Sequence, residues 1–457
     1  MRSLWLEEAL GDGDGAAPEL RGEISTDVCI VGGGYTGLWT ALALKERDPG
    51  LDVVVVEADV CGGGASGRNG GFVLSWWAKF GTLLKLFGAA EALRLGRASE
   101  DAVRELGSFC AQHGIDAHYR PDGWLWAATS RAQVGAWRST LDALADHGVE
   151  PFRELEPEEV ARRAGASTHL AGVLEASAAT VQPALLARGL RRVAVERGVR
   201  VHEGSPMTAL ERSRPPVVRT PGGAVRAGKV VLATNAWAAG IPELRRALVV
   251  IASDMVVTDP VGDIMEPAGL AVSDSRLLVN YYRLTRDGRL AFGQGGGTLA
   301  FGGRVGRRFD GPSPRAEAVA ASLRLLYPAL DARVVSSWTG PIDRTTTSLP
   351  VFGRLGGRPD LLYGVGYSGN GVGPSLLGGR ILASLVLERE DEWAATPLAR
   401  GPVGRFPPEP ARYVGGLVVR AAVARRERAD DEGRRVGRVT RALAGLAPAG
   451  LVPVRRP

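Results

Sequence analysis

Lysine is nearly missing from this chain of 457 residues: it occurs only at positions 45, 79, 85 and 229, so arginine supplies all but four of the 56 basic residues. The skew reads as a compositional habit and not as a phosphate footprint, despite a net charge of +6. Basic blocks alternate with acids, as in "RRERADDEGRR", the pattern of a solvated helix face. No zinc-finger spacing or RNA-binding aromatic motif accompanies them, which argues against a nucleic-acid partner. Cysteine is scarce too. Cys29, Cys61 and Cys110 are an odd number without paired spacing, pointing to a reducing compartment and away from disulfides or zinc. The five histidines (113, 118, 147, 169 and 202) show no ligand-like clustering, so no metal is expected and all five are assigned to surface or capping positions. No apolar run reaches the roughly 18 residues that span a bilayer. The opening "MRSLWLEEAL" carries acids where a signal peptide has an apolar core. A cytoplasmic protein with no membrane partner is the expectation.

Glycine, in contrast, is abundant and placed. In "DVCIVGGGYTGLWTALALKERDPGLDVVVVEADV", Asp27 to Val31 read as a strand, and Gly32, Gly34 and Gly37 follow in G-x-G-x-x-G spacing. Thr36 to Lys45 then read as a helix, with Tyr35 and Thr36 among the candidate cofactor-binding residues at its start. Val53 to Val56 form a second buried strand ending in Glu57, 20 residues past Gly37. Gly32 permits the tight turn, Gly34 lets backbone approach a pyrophosphate, and Gly37 lets the helix pack on the sheet. The helix N-terminus supplies amide donors and partial positive charge, and Glu57 stands where a carboxylate meets a ribose hydroxyl. Strand, glycines, helix, strand and acid in register specify a dinucleotide site.

A second glycine-rich stretch, "CGGGASGRNGGF" (61–72), has six glycines in twelve positions. An NAD enzyme would continue there into a further helix. A second loop of bare backbone suits a longer ligand lying along the crevice, with Ser66 and Arg68 on its pyrophosphate side and Gly70-Gly71 against a flat ring. FAD meets those demands better than NAD. Near the other end, Ser368 to Gly373 in "GYSGNGVGPSLLGGRILASLVL" read as a loop, and Pro374 opens a helix to Leu387. Its positive end can stabilise negative charge on a reduced flavin, with Asn370 against the ring.

These stretches, with "VVLATNAW", resemble the D-amino-acid-oxidase-like flavoprotein superfamily, and within it the gamma-glutamylputrescine oxidase-like branch. The likeness runs from Trp5 to the "FPPEPARYVGG" segment at 406–416. It implies an α/β fold in which a Rossmann-like FAD-binding lobe (1–80, 165–245 and 339–457, with a charged C-terminal helix near 417–444) interleaves with a mixed β-sheet substrate lobe (81–164 and 246–338). It further implies cofactor contacts from Ala65, Asn69, Met207, Thr234, Trp237, Gly369, Gly371 and Val372. "HYRPDGWLWAATS" reads as a hairpin about Pro121-Asp122-Gly123, and 276–296 as one about Asp287-Gly288. On the latter, period two puts Tyr281 and Arg283 on one face, and the resemblance turns that face to the substrate side of the flavin. Tyr281, Arg283 and Arg68 are the candidate catalytic residues. Phe72, Trp76, Trp77 and Trp338 either line an apolar pocket or fill a core.

Departures from the relatives narrow the chemistry. The arginines that hold a substrate carboxylate in glycine-oxidase-like members fall on Ile342 and Gly369. The lysine of sarcosine-oxidase-like members falls on Gly373, and residues 338–353 offer no cysteine for flavin attachment. Arg344 lies two places from the first of these and can compensate. The expectation is non-covalent FAD and oxidation of a small-molecule amine. Hydride passes to flavin N5, the imine hydrolyses to an aldehyde, and O2 or another acceptor reoxidises the flavin. No lysine follows Lys229 to promote the oxygen step, which leaves Arg283 or a dehydrogenase. The residues leave open an amino-acid derivative, aminophosphonate or cyclic amine as substrate, an electron-relay module, an NADH-dependent monooxygenase, and the oligomeric state.

Overall fold

A computed structural model describes residues 2–11 and 15–448. The outermost limits of the expected first lobe, 1 and 457, lie outside the described residues. Val28–Val31 and Val53–Val56 are buried, as a parallel sheet covered on both sides requires. Gly22–Val31 pairs in parallel with Val53–Val56 on one side and Gly223–Leu232 on the other. Arg200–His202 and Leu361–Val365 extend the parallel sheet outward, and Val351–Arg354 closes one edge antiparallel. The helices Tyr35–Arg47 and Pro374–Val386 cross so closely that a Cβ on Gly379 would stand 2.6 Å from the Trp39 carbonyl carbon.

The second sheet has eight strands. Val334–Arg344, Val249–Pro260, Arg289–Gln294 and Asn280–Leu284 form its antiparallel half. Ala271–Asp274, Trp124–Ala128, Ala171–Glu175 and Phe152–Leu155 complete it. The hairpin at Asp287-Gly288 is present, with Gly288 at φ +75°. The hairpin about 121–123 is not. Trp124–Ala128 pairs instead with the distant strands Ala271–Asp274 and Ala171–Glu175, which bury Trp124 and Trp126 between them. Long-range burial of two tryptophans outweighs local turn chemistry.

The expected lobe limits also shift. Ala171–Glu175 belongs to the second sheet although it follows residue 165, and Val334–Arg344 runs through the limit at 339 as one strand. The C-terminal charged segment is two helices, Ala411–Asp431 and Arg438–Ala444, parted at Gly433 with φ +65°. Among the histidines, His169 is an exception to the surface assignment: its ring is buried and bonds the Tyr282 hydroxyl, and burial depresses its pKa to about 4.

Candidate active site

The carboxyl ends of the first sheet's strands open into a cavity of about 740 Å³, roofed by strands of the second sheet. Its glycines are forced. Gly32 sits at φ +111°, and a Cβ there would meet the Ala233 carbonyl oxygen at 2.5 Å. A Cβ on Gly37 would meet the Gly32 oxygen at 1.9 Å, so the helix can approach the turn only without one. Glu57 ends its strand with both oxygens engaged, accepting from the Gly33 and Asp59 amides at 2.7 and 3.0 Å.

Of the expected cofactor residues, Gly32, Gly34, Tyr35, Thr36, Glu57, Ala65, Ser66, Arg68, Asn69, Gly70, Met207, Thr234, Trp237, Gly369, Asn370, Gly371 and Val372 line this cavity. Gly37 and Gly71 stand behind it. In the 61–72 loop the side chains hold one another. The Ser66 hydroxyl accepts the Tyr35 amide at 2.9 Å, and Asn69 donates to the carbonyls of Ala65 and Ser66 while accepting the Gly71 amide at 2.7 Å. Arg68 donates to the Gly63 and Thr339 carbonyls and pairs with Asp310, which also lines the cavity.

Tyr281 faces the cavity, its ring seated where Gly70 and Gly293 leave room: a Cβ on either would come within 2.9 or 2.2 Å of it. Its hydroxyl and that of Ser253 are 2.7 Å apart, and burial pushes the phenol's pKa up. Arg283 corrects the sequence reading. It shares the face of Tyr281 but lies under the glycine loop, outside the cavity. Its guanidinium donates to the carbonyls of Gly70, Val181 and Leu284 and stacks 5.0 Å from the Trp5 ring. Burial lowers its pKa to about 10. A group so committed to backbone positions the loop and does not face a substrate. Phe72 lines the cavity, whereas Trp76, Trp77 and Trp338 are fully buried packing residues.

Ile342 and Gly369, the positions without arginine, both line the cavity, as do Asp343 and Arg344. Asp343 accepts the Gly366 amide through Oδ2, while Oδ1 has no hydrogen-bond partner; burial, opposed by the Gly366 amide, raises its pKa to about 7. Arg344 is brought down to about 10 by burial. Behind it lies Lys79, which sequence reasoning passed over. Its amine donates to the Ser348 carbonyl at 2.6 Å, and burial, then the Arg344 charge, lowers its pKa to about 7. Nothing local in "SWWAKF" marks that lysine as buried; Ser348 is distant in sequence. Ser253 and Asp343 were likewise brought in by strand pairing, and Asp310 by the bend that meets Arg68.

The cavity fits an extended dinucleotide on two grounds of its own. It is walled by loops where a Cβ would collide, and the buried Asn370 Oδ1 on its lining has no hydrogen-bond partner. A protein built this way is a two-lobed dinucleotide-binding oxidoreductase. The family profile "DAO: FAD dependent oxidoreductase" matches residues 27–385, and the chain belongs to that family. It is 32% identical over 397 residues to "Gamma-glutamylputrescine oxidoreductase" of Escherichia coli (strain K12), covering 84% of this chain and 90% of that one. It is 29% identical over 389 residues to "Probable oxidoreductase OrdL" of Rhizobium meliloti (strain 1021), covering 82% and 86%. In fold it is similar to glycine oxidase from Geobacillus kaustophilus, with a TM-score of 0.67 at 23% identity over 82% of this chain and 98% of that one. No helix among the described residues is long and apolar enough to cross a membrane.

Proposed function

We propose that this chain oxidises the C–N bond of an amine lacking an α-carboxylate, with FAD held non-covalently and O2 as the acceptor, giving an aldehyde after imine hydrolysis and hydrogen peroxide. The observation that carries the reading is the wall facing the flavin loops. It offers the Tyr281–Ser253 hydroxyl pair among Phe72, Leu74 and Ile342, and no arginine stands at 342 or 369. Bound in the cavity, FAD would supply a two-electron acceptor for the substrate's α-C–H bond. The chain supplies the rest. The hydroxyl pair orients the amine, the apolar residues exclude water, and the start of the Pro374–Val386 helix contributes partial positive charge. No cysteine or histidine among the described residues lines the cavity, which supports non-covalent binding.

The reading is tested on purified protein by its visible spectrum, by acid release of the flavin and by anaerobic bleaching. Release of intact FAD is expected, with bleaching by γ-glutamylputrescine or putrescine and none by glycine or N-methylglycine. Bleaching by the amino acids alone defeats the carboxylate-free assignment. Bleaching by NADPH alone indicates a monooxygenase.

A further inference from the structure

Leu277, Val279, Gly295 and Gly296 line the cavity, yet they stand on two loops outside the regular strands. Loop backbone groups need partners. The Gly295 amide donates to the Val279 carbonyl and Asp274 accepts the Arg276 amide; other partners come from the helix Ala411–Asp431, which begins beyond residue 385, where the family match ends. One carboxylate oxygen of Glu427 accepts the amides of both Leu277 and Leu278, at 2.7 and 3.1 Å. Arg276, which starts the same loop, donates to Asp431 at 2.8 and 2.7 Å and to Asp274 at 2.9 Å. Arg420 donates to the Gly296 carbonyl on the second loop. Leu277 and Leu278 pack with Ala422, Val423 and Ala444 of the two C-terminal helices.

We propose that the C-terminal helix determines substrate fit, with Glu427 as a positioning residue that sets the Leu277–Val279 wall of the cavity by taking two consecutive backbone amides of its loop. The helix supplies the acceptor for the Leu277 and Leu278 amides, while Asp274 takes those of Arg276 and Asn280, and Arg276–Asp431 and Arg420 fix the two flanks. Because Leu277 and Val279 face the cavity, any slackening at Glu427 is felt as a wider substrate space and not as a change in the reacting groups. The proposal rests on the preceding reading only in taking this wall to border the substrate.

The test uses full-length, FAD-loaded protein carrying Glu427→Ala or Glu427→Gln. For Glu427→Ala, amide exchange of Leu277 and Leu278 is expected to quicken about tenfold or more. Acrylamide quenching of the flavin emission should rise, and KM for γ-glutamylputrescine should increase about three- to tenfold with kcat within about twofold. Glu427→Gln keeps an acceptor oxygen in place and should restore all three readouts. Unchanged exchange overturns the proposal, and so does faster exchange with unaltered quenching and KM. If the parent protein oxidises no amine, the functional reading fails while exchange and quenching still decide this one. Should Glu427→Ala not fold, Arg420→Ala frees the Gly296 loop for the same measurements.

Discussion

Tyr281 occupies its place because its neighbours have no side chains. Gly70 and Gly293 leave the ring a slot, and the hydroxyl reaches Ser253 on the adjoining strand. Tyr281→Phe removes one hydrogen bond worth about 1 kcal/mol, so kcat/KM should fall about five- to tenfold with FAD content unchanged. Steady-state kinetics on flavin-normalised protein checks this. Lys79 makes a prediction of opposite kind. Its pKa, ordinarily 10.5, is lowered to about 7, so the cost of burying its charge is fully present below about 7. That cost is relieved as pH rises toward 10.5, because the unfolded chain then binds a proton the folded chain does not. The stability of Lys79→Met relative to the parent should therefore decline by about 2–4 kcal/mol between pH 6 and pH 10, read from urea midpoints. Tyr281 was legible because period-two alternation fixes its face. Lys79 was not, because its burial depends on Ser348 and Arg344, which chain order does not place beside it.

At the scale of elements, the 61–72 loop shows why a motif's residues need not all touch a ligand. Asn69 ties the loop to itself, Arg68 ties it to Asp310 and Thr339, and Arg283 supports it from below through the Gly70 carbonyl. Reading Arg283 by alternation was right about its face and wrong about its depth. The same face continues past the cavity edge, and a guanidinium reaching three carbonyls there is already satisfied. Arg283→Met would strand the Gly70 and Val181 carbonyls. We expect it to cost about 2–4 kcal/mol and to lower FAD retention, while the flavin-loaded fraction keeps the parent KM. A raised KM at unchanged flavin content would restore Arg283 to the substrate side.

For the whole molecule, two eight-stranded sheets are joined by a cavity bordered by both. FAD binding should stabilise the folded state by mass action, about 2.7 kcal/mol at a hundredfold excess over Kd. Thermal unfolding of apoprotein titrated with FAD checks this, with a rise in Tm expected and its absence excluding the cavity as the flavin site. The first sheet was legible because each of its parts is local: strand, turn, helix and strand follow within the thirty-odd residues around Gly32. The second was less so. Its strands come from two runs of chain, 124–175 and 249–344, and nothing between Trp124 and Asp274 announces that Trp124–Ala128 and Ala271–Asp274 pair in parallel.

By itself, then, the sequence determined the dinucleotide turn, the two glycine loops and the missing arginines at 342 and 369, since glycine geometry and side-chain identity act within a few residues of where they are written. Only the tertiary structure decided that Arg283 lies under the glycine loop and outside the cavity, that Lys79 is buried beside Arg344, and that a carboxylate on the C-terminal helix takes two amides of the cavity wall. Those outcomes depend on which distant backbone groups need partners once the strands have paired, and no local pattern carries that information.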